Sequence, residues 1–251
     1  MRATKFEFEK RFWISTGIYC VGFLLYAVDR VPFFVALPHL IAPSIARNAP
    51  EVPLMNPWAA VRFMMAATML ERIVIGVGAL LVFLAAGLRT WATAYLRTEV
   101  VHDTAQHSEA LVADGPFRYT RNPLYLANVL GAAGIGVLAS RSGFIFLVLA
   151  MWIYLYRLIL REEESLLKTQ GESYRAYCRA VPRFWPAIKP RVQSGNLRPS
   201  WGQAFAGESF VWLIGLALLL IAATLNPWIA LAAFLLRLVT HFLTKRQFEK
   251  Q

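Results

Sequence analysis

The sequence predicts an all-α, polytopic membrane helix bundle with about six transmembrane helices and an interfacial amphipathic helix after the fourth. Three observations point there. Hydrophobic residues fill 57% of the 251 positions and charged residues only 16%, a balance foreign to a soluble domain. The apolar residues gather into runs close to the ~20 residues that a spanning helix needs. The basic residues avoid those runs and collect on one side of the resulting topology.

Arg2, Lys5, Lys10 and Arg11 precede a first apolar run, about 12–28, which ends at Asp29-Arg30. A basic lead before an apolar run suggests a signal peptide. No small-x-small cleavage site follows Leu24-Leu25-Tyr26, so the run reads as a retained span that starts inside. Pro32, Pro38, Pro43, Pro50, Pro53 and Pro57 break regular helix and predict an outer loop dipping partly into the membrane. The next apolar stretch, about 58–95, is too long for one span and carries Arg62, Glu71 and Arg72. It divides into an interfacial piece near 58–70 and a span near 73–92. Glu71-Arg72 reads as an outer-interface pair, with a buried functional pair as the alternative.

A polar inner segment, about 96–121, leads to two short spans, roughly 123–139 and 143–160, turned by Arg141-Ser142-Gly143. Residues 161–180 then form the amphipathic surface helix. Leu167, Tyr174, Cys178 and Val181 share its face, and Val181-Pro182 ends it. A polar connector covers 187–207. A last hairpin spans about 208–225 and 228–244, turned by Asn226-Pro227. Both termini fall inside. Of the 26 Lys and Arg, only Arg30, Arg47, Arg62, Arg72 and Arg141 lie on the outer half, as the positive-inside rule requires.

The same bias assigns the net charge of +11 to anionic lipid rather than to nucleic acid. Cys20 and Cys178 have no nearby partner, and His39, His102, His107 and His241 show no metal-ligand spacing. Neither a disulfide framework nor a metal site is expected. The chain reads as one membrane domain, 1–251: N-terminal spans and inner loop at 1–114, a chemical core at 115–186, and a connector with a C-terminal hairpin at 187–251.

The core opens with Gly115-Pro116-Phe117-Arg118-Tyr119-Thr120-Arg121-Asn122-Pro123-Leu124-Tyr125. Gly115-Pro116 is a turn. Asn122-Pro123 is a strong helix start, with a favoured N-cap residue followed by a favoured first-turn residue. Proline also biases Asn122 to the extended backbone that a cap needs. The first-turn amides of that helix, with Arg118 and Arg121, make a mouth suited to a carboxylate. The plainer alternative is a cap and two lipid-phosphate anchors.

Within the span, Ala127, Gly131, Ala132, Gly134 and Gly136 leave one side nearly bare. That side is open to a flat ligand or, on the plainer reading, to a packing helix. At the end of the following span stands Arg161-Glu162-Glu163-Glu164. Successive helix positions differ by about 100°, so one or two of the glutamates can face a pocket. One can meet a ligand ammonium or hydroxyl and another can pair with Arg157 or Arg161; a solvated helix surface is the alternative. Tyr154, Tyr156, Tyr174 and Tyr177 read as interface-belt residues or as a wall for a cation.

Together the 115–125 motif, Glu162-Glu163, Leu166, Gly171, Tyr174, Tyr177 and Val181-Pro182-Arg183 resemble the isoprenylcysteine carboxyl methyltransferase and phospholipid N-methyltransferase superfamily over about 110–186. The resemblance implies an integral membrane enzyme using S-adenosylmethionine. It implies that Arg121, Asn122, Pro123, Tyr125, Glu162 and Glu163 line the cofactor pocket. Isoprenylcysteine enzymes typically carry His where this chain has Asn122, whereas phospholipid methyltransferases can carry Asn-Pro. Spacing to Leu166 and Gly171 favours Glu162-Glu163 as the glutamate pair over a register that includes Glu164.

Gly115, Arg118, Tyr119, Gly131 and Gly134 complete the candidate cofactor set, and Glu163 and Arg157 are the candidate catalytic residues. The expected acceptor is a lipid or lipophilic small molecule entering from the bilayer, in a bacterial inner membrane. A carboxylate acceptor needs no base. An amine or thiol acceptor must lose a proton, for which Glu163 is the candidate. Two other readings compete. A membrane reductase of sterol-reductase type would need a further basic cluster for a nicotinamide phosphate. A non-enzymatic lipid-binding or transport module would show broken helices and paired repeats.

Overall fold

The computed structural model describes residues 2–41, 57–96 and 113–226, with Trp228, Ile229 and Ala232 beyond. No strand forms among them. The helices are α1 (Lys5–Glu9), α2 (Arg11–Leu24), α3 (Phe33–Ile41), α4 (Pro57–Tyr95), α5 (Pro123–Gly136), α6 (Arg141–Ala180) and α7 (Trp201–Thr224). Among the described residues, Thr68–Tyr95 of α4, all of α6 and all of α7 are long and apolar enough to cross a membrane. Arg11–Ala27 and α5 are shorter apolar helices. The chain is thus an all-α membrane protein.

The chain divides into two compact units. The first holds Met1–Cys20, Leu84–Ala132 and Phe146–Ser209. Its core is built on α6. Met151, Leu155 and Leu158 are buried against Ala3 and Ala132, and Ile159 against Leu126 and Phe184. Leu149 and Ile153 of the same helix stay exposed. A helix apolar on every side, with one stripe packed and another bare, is what a lipid solvent permits.

The second unit holds Val21–Phe83, Ala133–Ile145 and Phe210–Gln251. Ile75, Ala79 and Val82 of α4 pack there on Leu218, Ile221 and Ala222 of α7. A Cβ at Gly134 would stand 2.5 Å from the Gly78 carbonyl oxygen and 2.6 Å from Val82. The small residues on that side of α5 therefore let the backbone of α4 come close. Arg72 donates to the Ala223 carbonyl.

In the same unit, Asp29 accepts from the Arg141 guanidinium at 3.2 Å and from the Ser142 amide at 3.0 Å. These bonds, Arg141 first, hold its carboxyl at about 2 against an ordinary 3.8. A carboxyl lowered on folding stabilises the fold above its unfolded value, and loses that contribution as pH falls through the folded one. Asp29→Asn is therefore expected to lower the thermal midpoint at pH 7. The gap from the unsubstituted protein should close between about pH 4 and pH 2. A gap of constant size across that range would contradict the pairing.

Several boundaries differ from the sequence reading, each for a local reason. The interfacial piece and the span expected at 58–70 and 73–92 are one continuous helix. No Gly or Pro stands between Pro57 and Gly76, and Arg62 and Arg72 are themselves good helix formers. Part of the proline-rich loop is helical, since α3 starts just after Pro32 and keeps Pro38 inside. The amphipathic helix does not begin at 161, because α6 runs on and breaks at Gly171 (φ 56, ψ −126). Residues 161–170 contain no helix breaker, and only glycine takes that backbone conformation without cost.

The connector at 187–207 is shorter than expected, with α7 starting at Trp201. The basic lead folds into α1 through a capping box in which the Thr4 hydroxyl accepts from the Glu7 amide and the Glu7 carboxylate from the Thr4 amide. The final span expected at 228–244 lies outside the described residues, apart from Trp228, Ile229 and Ala232.

Candidate functional site

The loop ahead of α5 and the end of α6 meet in the first unit. Gly115–Arg118 form a single 3-10 turn. Gly115 opens it at φ +57, where a Cβ would overlap the Tyr95 ring. The rest of the loop is zipped to the chain after α6. Arg121 N donates to the Pro182 carbonyl at 2.9 Å, Ala187 N to Tyr119 at 2.9 Å, and Arg191 N to Arg118 at 2.9 Å.

Side chains tighten the same seam. The Thr120 hydroxyl donates to the Phe184 carbonyl at 2.9 Å, the Tyr177 hydroxyl to the Phe117 carbonyl at 2.7 Å, and Arg118 Nε to the Val192 carbonyl at 3.0 Å. Asp114 anchors the loop start by accepting from the Ser194 hydroxyl at 2.6 Å and from the Gly195 and Leu197 amides at 2.9 and 3.0 Å. Burial opposes its ionisation, yet these bonds and the Arg118 charge hold its carboxyl below the usual range.

α5 begins at Pro123, and the Asn122 carbonyl accepts its Leu126 amide at 3.1 Å. The Asn122 side-chain amide is buried and donates to Glu163 Oε1 at 3.4 Å and to the Arg183 carbonyl at 2.9 Å. Glu163 is also buried, and two guanidiniums close on it. Arg121 Nη1 is 3.1 Å from Oε1, and Arg183 Nη2 and Nε are 2.8 and 3.0 Å from Oε2. The bond to Glu163 is the main reason the Arg183 guanidinium holds its proton more firmly than usual. Arg183 also donates to the Tyr156 hydroxyl at 3.1 Å. Arg121 Nη1 reaches Cys178 Sγ at 2.8 Å, while its buried Nε has no hydrogen-bond partner among the described residues.

The three consecutive glutamates separate as a 100° step requires. Glu162 accepts from the Tyr125 hydroxyl at 2.8 Å, Glu163 takes the arginine pair, and Glu164 turns outward to Arg2 at 2.7 Å and Lys168 at 3.1 Å. Of the sequence candidates, Arg121, Asn122 and Glu163 thus meet at one junction, Tyr125 and Glu162 pair with each other, and Pro123 opens α5. Arg157 instead pairs with Glu7 at 3.0 Å, and the Tyr119 ring lies 5.7 Å from that of Trp91. Gly131 leaves room for a Cβ, its nearest neighbour being Ala85 at 3.9 Å. Gly134 belongs to the second unit, against Gly78 and Val82.

Sequence reasoning did not place Arg183 beside Glu163 or Cys178 beside Arg121; the Val181-Pro182-Arg183 stop was the available signal for Arg183. It also passed over a second polar cluster. Arg89 of α4 bonds Glu208 of α7 through Nε at 2.5 Å and Nη2 at 3.1 Å, and Asn128 of α5 through Nη1 at 2.5 Å. Isolated charges inside apolar runs were its only trace.

Comparison with known proteins agrees with the superfamily suggested by the motifs. Residues 73–173 match the phospholipid methyltransferase family. The cobalt-zinc-cadmium resistance protein CzcN of Cupriavidus metallidurans is 25% identical over 152 residues, covering 60% of this chain and 67% of that protein. The nickel-cobalt-cadmium resistance protein NccN of Alcaligenes xylosoxydans xylosoxydans is 26% identical over 121 residues, covering 48% and 54%. No solved structure matches.

Proposed function

From the match of residues 73–173 to the phospholipid methyltransferase family, we propose that this chain moves a methyl group from S-adenosylmethionine to a lipid or lipophilic small molecule. The observation that carries this reading is the junction in which buried Asn122 and Glu163 meet Arg121 and Arg183, together with the Tyr125–Glu162 bond.

The residues present suit the cofactor's functional groups. The cofactor carries a carboxylate, an ammonium, ribose hydroxyls, an adenine and a sulfonium. The unpartnered Arg121 Nε and the amides opening α5 suit the carboxylate. Glu162, whose hydrogen-bond partner among the described residues is the neutral hydroxyl of Tyr125, suits the ammonium or a ribose hydroxyl. When bound, the cofactor supplies an electrophilic methyl for in-line displacement. The protein's share is to hold donor and acceptor in line, which supplies much of the acceleration in such a reaction.

Glu163 has both oxygens occupied by guanidinium and amide donors. It acts as a positioning residue that fixes Arg121 and Asn122 at the mouth of α5. A carboxylate acceptor needs no base and fits that role. The excess of Lys and Arg in the segments that the charge bias assigns to the inside supports an acceptor at the cytoplasmic face of a bacterial inner membrane, with both termini cytoplasmic.

Calorimetry on protein in lipid nanodiscs tests the reading. S-adenosylmethionine and its demethylated product are both expected to bind. Glu162→Gln should weaken the S-adenosylmethionine interaction about tenfold, as for one lost charge-assisted hydrogen bond. Unsubstituted protein that binds neither compound overturns the proposal.

A further inference from the structure

The second unit contains a cavity of about 400 Å³ whose walls include Tyr26, Phe34, Glu71, Ile75, Leu138 and Ile221. The lining is apolar apart from Glu71 and the Tyr26 hydroxyl, and that hydroxyl already donates to the Leu138 carbonyl at 2.6 Å. Among the described residues none donates a hydrogen bond to the Glu71 carboxylate, and only His39 acts on it by charge. His39 lies exposed in the last turn of α3. Arg72, next in the chain, is occupied by the Ala223 carbonyl.

A carboxylate at an apolar wall inside a membrane protein is costly unless something cationic meets it. The wall is built for an alkyl chain and the carboxylate for an ammonium. We propose that this cavity binds a single-chain amphiphile bearing a protonated amine, with its chain along Phe34, Ile75 and Ile221 and its ammonium on Glu71. None of the residues named here belongs to the methyl-transfer site proposed above, and the inference does not depend on methyl transfer.

The test uses the full chain in phosphatidylcholine nanodiscs at pH 7.5. The probes are dodecylamine and dodecanol, each carrying a mid-chain diazirine. The amine is expected to label the segments around Tyr26–Phe34, Glu71–Ile75 and Ile221–Leu225, saturably against unlabelled dodecylamine. Glu71→Gln should cut amine labelling by about tenfold and leave alcohol labelling unchanged. Glu71→Asp, which keeps the charge, should retain the amine preference. Ile75→Trp, which fills the space, should cut labelling by both probes. Equal labelling by amine and alcohol in the unsubstituted protein overturns the proposal. So does amine labelling that Glu71→Gln leaves intact in protein eluting as a folded monodisperse peak.

Discussion

Glu163→Ala is expected to cost the first unit about 3–5 kcal/mol of stability, the range seen when one partner of a buried ion pair is removed. It should also abolish measurable binding of S-adenosylmethionine. The loss exposes three unmet needs at once. The Arg121 side chain is 11% exposed, so its guanidinium would remain inside without its anion. Asn122 would lose its contact with α6. Arg183 would lose its main bond, though at 37% exposure water can reach it and soften that part of the penalty. Glu163→Gln separates charge from shape, because its amide oxygen can still accept from Arg121. The expected cost of Gln is about 1–3 kcal/mol. Tryptophan-fluorescence melting in detergent reads the stability and calorimetry reads the cofactor. If Ala and Gln cost the same, the carboxylate's charge is not what holds the junction. If Ala melts like the unsubstituted protein, the junction does not stabilise the fold.

The sequence carried the helical architecture because its signals are local. The start of α5 at Pro123 follows from one dipeptide, Asn122-Pro123, and the break at Gly171 falls on a glycine in a run of helix formers. The Thr4-to-Glu7 capping box is an equally local signal. Charges inside apolar runs misled in one direction. Arg62 and Arg72 look like interruptions in one dimension, yet arginine is a good helix former and α4 runs through both positions. The site was legible as a list of residues but not as a set of pairs. Three adjacent glutamates look equivalent in one dimension; only the helical turn decides that Glu162 meets Tyr125, Glu163 meets Arg121 and Glu164 meets Lys168. Arg183 reaches Glu163 because the chain doubles back after Val181-Pro182 and pairs with the 118–121 loop. No spacing rule encodes such a return.

The Arg89–Glu208–Asn128 cluster calls for the second large effect, and its asymmetry is the informative part. The Glu208 side chain is 8% exposed, the Arg89 side chain 28%. Arg89→Ala strands a carboxylate among apolar helices and is expected to cost about 3–5 kcal/mol. Glu208→Ala leaves a guanidinium that keeps its bond to Asn128 and has a long stem able to carry the charge toward the interface. Its expected cost is nearer 1–3 kcal/mol. Arg89→Met combined with Glu208→Leu removes both charges and fills the space with apolar volume. Replacing a buried ion pair in this way is often neutral or stabilising, so the double variant should melt close to the unsubstituted protein and well above Arg89→Ala. A double variant that melts as low as Arg89→Ala would mean that the three-way bonding itself, rather than the avoidance of a lone charge, joins α4, α5 and α7 within the first unit. Equal losses in the two single variants would mean that Arg89 is as trapped as Glu208, and that its exposed fraction offers the charge no escape.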